Sequence, residues 1–213
     1  ATQPAADKLA PEIEASGVEV NVVALDEIDR RVSPDSVHQG VLLEARALPV
    51  VDLEDLPADG FLLVLDQVTD PHNVGAILRT ADAAGVHVVV APKDKAVGIT
   101  ETVRRVSVGA ADHVPFAQVT NLARTMEKLK TAGLWLVGTS DHAKSKSIYE
   151  LDLKGPLALV LGAEEKGMRR LTEENCDFLA SIPMAGKVEC LNVSVATGVC
   201  LFEAVRQRRV AGE

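Results

Sequence analysis

Three stretches of this chain set side chains able to hold anions and hydroxyls beside residues that leave backbone exposed. The first runs from Leu65 to Gly85 and carries Asn73 and Arg79. Six residues separate the two, about 9 Å along a helix at 1.5 Å per residue. The arginine offers five donors suited to a phosphate. The second is Leu161-Gly162-Ala163-Glu164-Glu165-Lys166-Gly167-Met168, an acidic pair bracketed by glycines that permit close backbone approach. The third spans Ser181–Ala196, rich in polar and small residues, and runs into a nearly all-apolar segment past Asn192 and Ser194. Each stretch also has a plainer reading. Asn73 and Asn192 serve equally well as helix caps, Arg79 as a surface or ion-paired residue, and the glycine-bracketed loop as a turn with solvated carboxylates.

Other chemistries find little footing. The five histidines are scattered, without HExxH or metal-ligand spacing, and Cys176, Cys190 and Cys200 form no CxxC pair. No GxSxG elbow, Walker A loop or GxGxxG fingerprint is present. Cys190 has no evident histidine partner and is expected to be a structural, at least half-buried cysteine, and all three thiols are expected to be reduced.

Taken over the whole chain, the net charge of −9 argues against a nucleic-acid partner, whose phosphates call for Lys and Arg. Residues 1–60, however, carry 13 of the 31 acidic and only 4 of the 22 basic residues, so the remainder of the chain is balanced. That remainder can carry a local basic patch, with Arg104-Arg105, Lys144, Lys146, Arg169-Arg170 and Arg206-Arg208-Arg209 as candidates or as solvated helix faces. Aromatic residues are too few for a stacking platform. No apolar run reaches the length of a membrane span and no signal peptide is visible, so a soluble, cytoplasmic protein is expected.

The elements that must position these residues follow from periodicity. Residues 7–16 suggest a helix closed by Gly17, Val18–Leu25 and Val37–Ala45 suggest strands, and Asp26–Arg31 a helical turn. Residues 1–45 therefore read as part of a small α/β domain, and residues 46–60, with Pro49 and Pro57, as a linker. From Phe61, apolar runs at 61–65, 86–91, 113–116, 134–137, 157–161 and 178–182 alternate with helical segments. This is the pattern of an α/β fold with a parallel sheet covered by helices on both faces. Asn121 and Gly133 bracket one helix. Residues 193–209 form the last one, whose first turns are apolar almost all round and so are expected to be buried. In such sheets ligands collect beyond the carboxyl ends of the strands, where all three stretches fall.

Taken together and in order, Asn73-Val74-Gly75 through Arg79, Leu161-Gly162-Ala163-Glu164 through Gly167, and Ile182-Pro183-Met184 through Leu191-Asn192-Val193-Ser194-Val195-Ala196 resemble the three motifs of the SpoU/TrmH branch of the SPOUT RNA methyltransferases. The resemblance covers about residues 61–209. It implies a C-terminal trefoil knot, a homodimer, and S-adenosylmethionine contacted by Thr139, Gly162, Ile182, Met184 and Leu191, with no metal. It also implies catalytic roles for Asn73, Arg79, Glu164 and Asn192. Residues 18–45 resemble the later part of a ribosomal-protein-like RNA-binding domain.

Asp70-Pro71-His72-Asn73, residues 120–126 and residues 162–171 resemble the branch members that methylate a guanosine ribose 2′-hydroxyl of 23S rRNA. A tRNA ribose methyltransferase and a catalytically silent RNA-binding assembly protein stand as alternatives. Many relatives have Ser where this chain has Cys190, a weaker hydrogen-bond donor.

Overall fold

The computed structural model describes residues 4–32, 34, 36–44, 57, 59–141, 145–163 and 166–211. The chain divides into two compact units, Ala1–Ala47 and Leu48–Glu213.

The first unit contributes helices α1 (Pro4–Ala15) and α2 (Leu25–Arg31). Gly17, at φ +82°, turns the chain after α1. Helix α2 has acidic residues in its first turn and basic ones in its last, the charge order a helix dipole favours. Arg30 pairs with Asp26 and Arg31 with Glu27 one turn back. The strands expected at Val18–Leu25 and Val37–Ala45 do not form in the described residues, and Ala45 lies outside them. An isolated extended segment has no ladder to satisfy its backbone, and Val22 is 95% exposed where a sheet face would have buried it. Residues 46–56, read as linker, also lie outside the described residues.

The second unit is built on a seven-stranded sheet in the order β3-β2-β1-β6-β4-β7-β5, every pair parallel. The strands are β1 (Phe61–Asp66), β2 (Val88–Pro92), β3 (Phe116–Val119), β4 (Trp135–Thr139), β5 (Lys146–Ser147), β6 (Leu157–Gly162) and β7 (Phe178–Ser181). Helices α3 (Pro71–Ala84), α4 (Glu101–Ser107), α5 (Leu122–Thr131), α6 (Arg170–Asn175) and α7 (Val193–Ala211) connect or cover them. Alternate residues of the central strands point to opposite faces. Leu63, Leu65, Val89, Leu159 and Leu161 pack with Ile77, Leu78 and Leu201 of α3 and α7, while Leu62, Val64, Val88, Leu136 and Val160 pack with Leu122, Met126 and Leu129 of α5. Both faces are covered, which is why these strands read as unbroken apolar runs.

Two departures from the sequence reading concern the sheet edges. The third strand begins at Phe116 rather than ending there, because residues 110–112 make a 3₁₀ turn and the half-buried strand Phe116–Val119 follows it. Strand β5, two polar residues beside β7, gives no apolar signal at all.

Candidate functional site

Helix α3 starts at the carboxyl end of β1, with Asp70 as its cap. The Asp70 carboxylate accepts from the His72 amide at 2.9 Å, and Pro71 occupies the first turn, where no N–H is needed. Gly85 closes the helix in the left-handed conformation at φ +73°. Asn73 is thus inside the first turn and is not the cap. It meets Asn192: the Asn192 Nδ2 donates to Asn73 Oδ1 at 3.0 Å across 119 residues of sequence. The Asn192 Oδ1 in turn accepts from the amide and hydroxyl of Ser194, at 3.0 and 2.6 Å, fixing the carboxamide at the start of α7. Asn192 therefore orders the helix start, as the sequence offered, and also joins the first motif, a contact the sequence did not reveal.

Arg79 is exposed on α3. Six residues at 100° each place it about 120° around the helix from Asn73, on a different face. The geometry of one chain therefore joins Asn73 with Asn192 and leaves Arg79 apart. Glu164, the fourth residue of the catalytic set, lies outside the described residues.

The residues expected around a cofactor converge on three adjacent strands. Thr139 ends β4, Gly162 ends β6, and Ile182 follows β7, neighbours in the order β6-β4-β7. The Thr139 hydroxyl donates to the Val160 carbonyl at 3.4 Å, and Ile182 packs on the core. Leu191 is half-buried and Met184 exposed. Gly162 is required by the chain itself. A Cβ there would come within 2.2 Å of the backbone of Gly167 and Met168, because Ala163 and Gly167 form an antiparallel bridge that folds the loop back on the strand end. The close approach the glycines allow is to the protein's own backbone.

Asp66 and Arg169 support this loop from below, a pairing the sequence reading missed. Asp66, at the last position of β1, is fully buried. Its carboxylate accepts from the Arg169 amide and Nε at 2.8 Å each and from the second guanidinium nitrogen at 2.7 Å. The signal in the sequence was an acidic residue closing an apolar strand, and a buried carboxylate needs a partner.

Other candidate cations are similarly engaged. Arg104 pairs with Asp112, Arg206 with Glu203 at 2.8 Å, and Arg208 donates to the carbonyls of Leu153, Asp59 and Gly155 while lying 4.3 Å from the centre of the Phe61 ring. Hydrogen bonding from Arg206 holds the Glu203 carboxyl below its ordinary range. Arg104, Arg206 and Arg208 thus each have partners within the chain, a role beyond the two the sequence reading offered. Arg105, Lys146, Arg170 and Arg209 remain exposed; Lys144 lies outside the described residues. Cys190 is exposed, not buried, because the loop at 183–190 lies entirely at the surface. Cys176 and Cys200 are the thiols that burial pushes up, each to about 12.

Beyond the strand ends lies an open cleft of about 530 Å³ lined by Gln67, Val68, Thr69, Asp70, Asn73, Lys95, Ala163, Lys166 and Val193. It draws on all three motifs. A larger hollow, about 700 Å³, sits between α6 and the start of β7, away from the amide pair. The first is the better candidate because, of the expected site residues, Asn73 lines it, while Thr139, Ile182, Met184 and Leu191 are not in its lining.

The cleft and the amide pair lie beyond the strand ends of the parallel sheet, where such folds collect ligands. The chain belongs to the SpoU rRNA Methylase family, which it matches over residues 60–202. It is 57% identical over 203 residues to the 23S rRNA (guanosine-2′-O-)-methyltransferase RlmB of Ralstonia nicotianae, covering 92% of this chain and 80% of that protein. To the protein of the same name from Pseudomonas aeruginosa it is 56% identical, covering 91% and 81%. Among solved structures, the AdoMet-bound rRNA methyltransferase from Sinorhizobium meliloti aligns with a TM-score of 0.78 at 30% identity, over 96% of this chain and 78% of that one. The SpoU methyltransferase AviRb from Streptomyces viridochromogenes in complex with AdoMet gives 0.69 at 32% identity, over 76% and 67%.

Proposed function

We propose that this protein methylates a guanosine ribose 2′-hydroxyl of 23S rRNA, using S-adenosylmethionine, as a homodimer with a knotted C-terminal segment. The observation that carries the reading is Asn73 on the cleft, hydrogen-bonded to Asn192, in a chain more than half identical to enzymes named for that reaction. The donor set fits the cofactor. Half-buried Ile182 and Leu191 and exposed Met184 supply apolar walls for an adenosyl group, and the loops after three neighbouring strands offer backbone groups to its polar edges. Thr139, Gly162, Ile182, Met184 and Leu191 would hold it there.

When bound, S-adenosylmethionine supplies an activated methyl group. The remaining task belongs to the chain: to align the ribose hydroxyl, exclude alternatives, and stabilise charge as the hydroxyl proton leaves. Asn73 and Asn192 orient the hydroxyl through their carboxamides. Arg79 grips the target phosphate and stabilises the developing alkoxide, since an arginine holds its own proton too firmly for a base. Glu164 completes the set in this reading. Because Arg79 stands on another face of α3 from Asn73, a second protomer supplying it is the simplest way to complete the site. Exposed Val195 and Phe202 on α7, 52% and 48% accessible, support an apolar dimer surface there. The first unit is proposed to be an RNA-binding domain, and the described residues include no helix long and apolar enough to cross a membrane, which accords with work in the cytoplasm.

Incubating the chain with cofactor and unmodified 23S rRNA is expected to yield one alkali-resistant ribose linkage, and Asn192→Ala to slow its formation about 100-fold. Absence of methylation in the wild-type protein would sink the proposal. Preferential methylation of tRNA in direct competition would redirect it to the other substrate.

A further inference from the structure

Lys95 enters the cleft from a loop that none of the three motifs contains. That loop follows β2 and is tied at both sides. The Lys93 amide donates to Val119 at 2.8 Å, extending the sheet, and the Val97 amide donates to Val68 at 3.1 Å, tying the loop to the segment before α3. Ala96, Val97 and Ile99 pack on the core, and Gly98 lies against the Gln118 side chain. Between these anchors Lys95 adopts the left-handed conformation, φ +59°, which disfavours any residue with a Cβ. Gln67, on the same cleft, does likewise at φ +63°. Strained non-glycine backbone paired on one cleft is a feature of functional sites. Glycine or asparagine would sit at 95 with less strain, so the backbone supplies no reason for lysine. Its exposed ammonium does.

Lys166 lines the same cleft from the second motif. Among the described lining residues Asp70 is the acidic one, and its carboxylate is occupied as the α3 cap. A ribose held with its 2′-hydroxyl at the amide pair carries a phosphodiester on the adjacent 3′ oxygen, the nearest charge to the reacting atom. We infer that Lys95, with Lys166 lining the same cleft, grips the RNA phosphodiester next to the target ribose, positioning the strand without reading its bases. This rests on the RNA methyltransfer reading above. A lysine suits the task because a flexible point charge holds a phosphate in any sequence context.

The test compares wild type with Lys95→Gly, Lys95→Asn and Lys95→Arg, measuring thermal melting, cofactor binding by calorimetry, and RNA methylation kinetics at several salt concentrations. Lys95→Gly and Lys95→Asn are expected to melt at or above the wild-type temperature and to bind cofactor normally. Their KM for RNA should rise about fivefold or more, with a smaller change in kcat, and the slope of log affinity against log salt should fall by about one. Lys95→Arg should retain most of the RNA affinity. An unchanged KM and salt slope in a wild-type background that methylates RNA would overturn the inference alone. Weakened cofactor binding instead would reassign Lys95 to the cofactor carboxylate and overturn it too. A wild-type protein that neither binds RNA nor methylates it would remove the function reading and the inference together.

Discussion

The two ends of the central strand β1 are each held by an arginine from far along the chain, and they are held differently. At the carboxyl end, beside the site, Arg169 pairs with the fully buried carboxylate of Asp66 through three donors. At the amino end, Arg208 of α7 is received by three backbone carbonyls and the face of Phe61. Burial lowers the Arg208 pKa from its ordinary value. The first clamp sets a part-exposed guanidinium against a fully buried carboxylate, so losing the arginine strands Asp66 without a partner. The second spreads a charge over dipoles, so its loss is graded. The end beside the candidate site has the all-or-none fastening.

Mutations can break this contrast. Arg169→Ala is expected to cost about 3–5 kcal/mol in chemical denaturation, since it leaves Asp66 buried and unpaired. Arg169→Ala costing no more than Arg208→Ala would refute the distinction. Gly162→Ala, at the loop which Arg169 anchors, forces backbone apart at a 2.2 Å contact. It should cost about 3 kcal/mol, with cofactor affinity falling alongside. Arg208→Ala should cost about 2 kcal/mol by the same denaturation assay, the sum of charged hydrogen bonds and a cation–π contact.

A pH series sharpens the comparison further. Cys176 packs beside Gly138 and Met168, next to Arg169, and Cys200 lies in α7. Both thiols stand at about 12 against an ordinary 9.0, because burial disfavours the thiolate. Unfolded thiols ionise above pH 9 and folded ones do not, so stability is full below 9 and is lost as pH rises toward 12. Denaturation midpoints measured from pH 8 to 11 should decline, with Cys176→Ala and Cys200→Ala each removing a similar part of the slope. At the small end, Asp26→Ala in α2 removes an ion pair whose side chains are more than 70% exposed, and should change stability by less than about 0.5 kcal/mol.

The sheet of the second unit was legible because its strands are buried on both faces, so apolar runs mark them directly. The edge strands were less so: Phe116–Val119 is half-buried and Lys146–Ser147 is polar, and a sheet edge carries little hydrophobic signal. In the first unit, alternation at Val18–Leu25 suggested a strand, but alternation needs a pairing partner to become one. At the site, motif order identified the region while the roles shifted. Asn73 looked like a cap because Asn commonly is one; Asp70-Pro71 took that place. Asp66 escaped notice because its significance depends on Arg169, more than a hundred residues on. Of the arginines offered as a basic patch, Arg104, Arg206 and Arg208 hold partners within the chain while Arg105 and Arg209 stay exposed, since sequence shows charge and not what charge faces.

The amide pair joins the beginning of the second unit to its last helix, and β1 must wait for β6 before its inner edge is covered. In a growing chain the Asn73 carboxamide therefore meets its partner only after residue 192 has been made, so the two motifs are joined late, by the same step that brings the last helix onto the sheet.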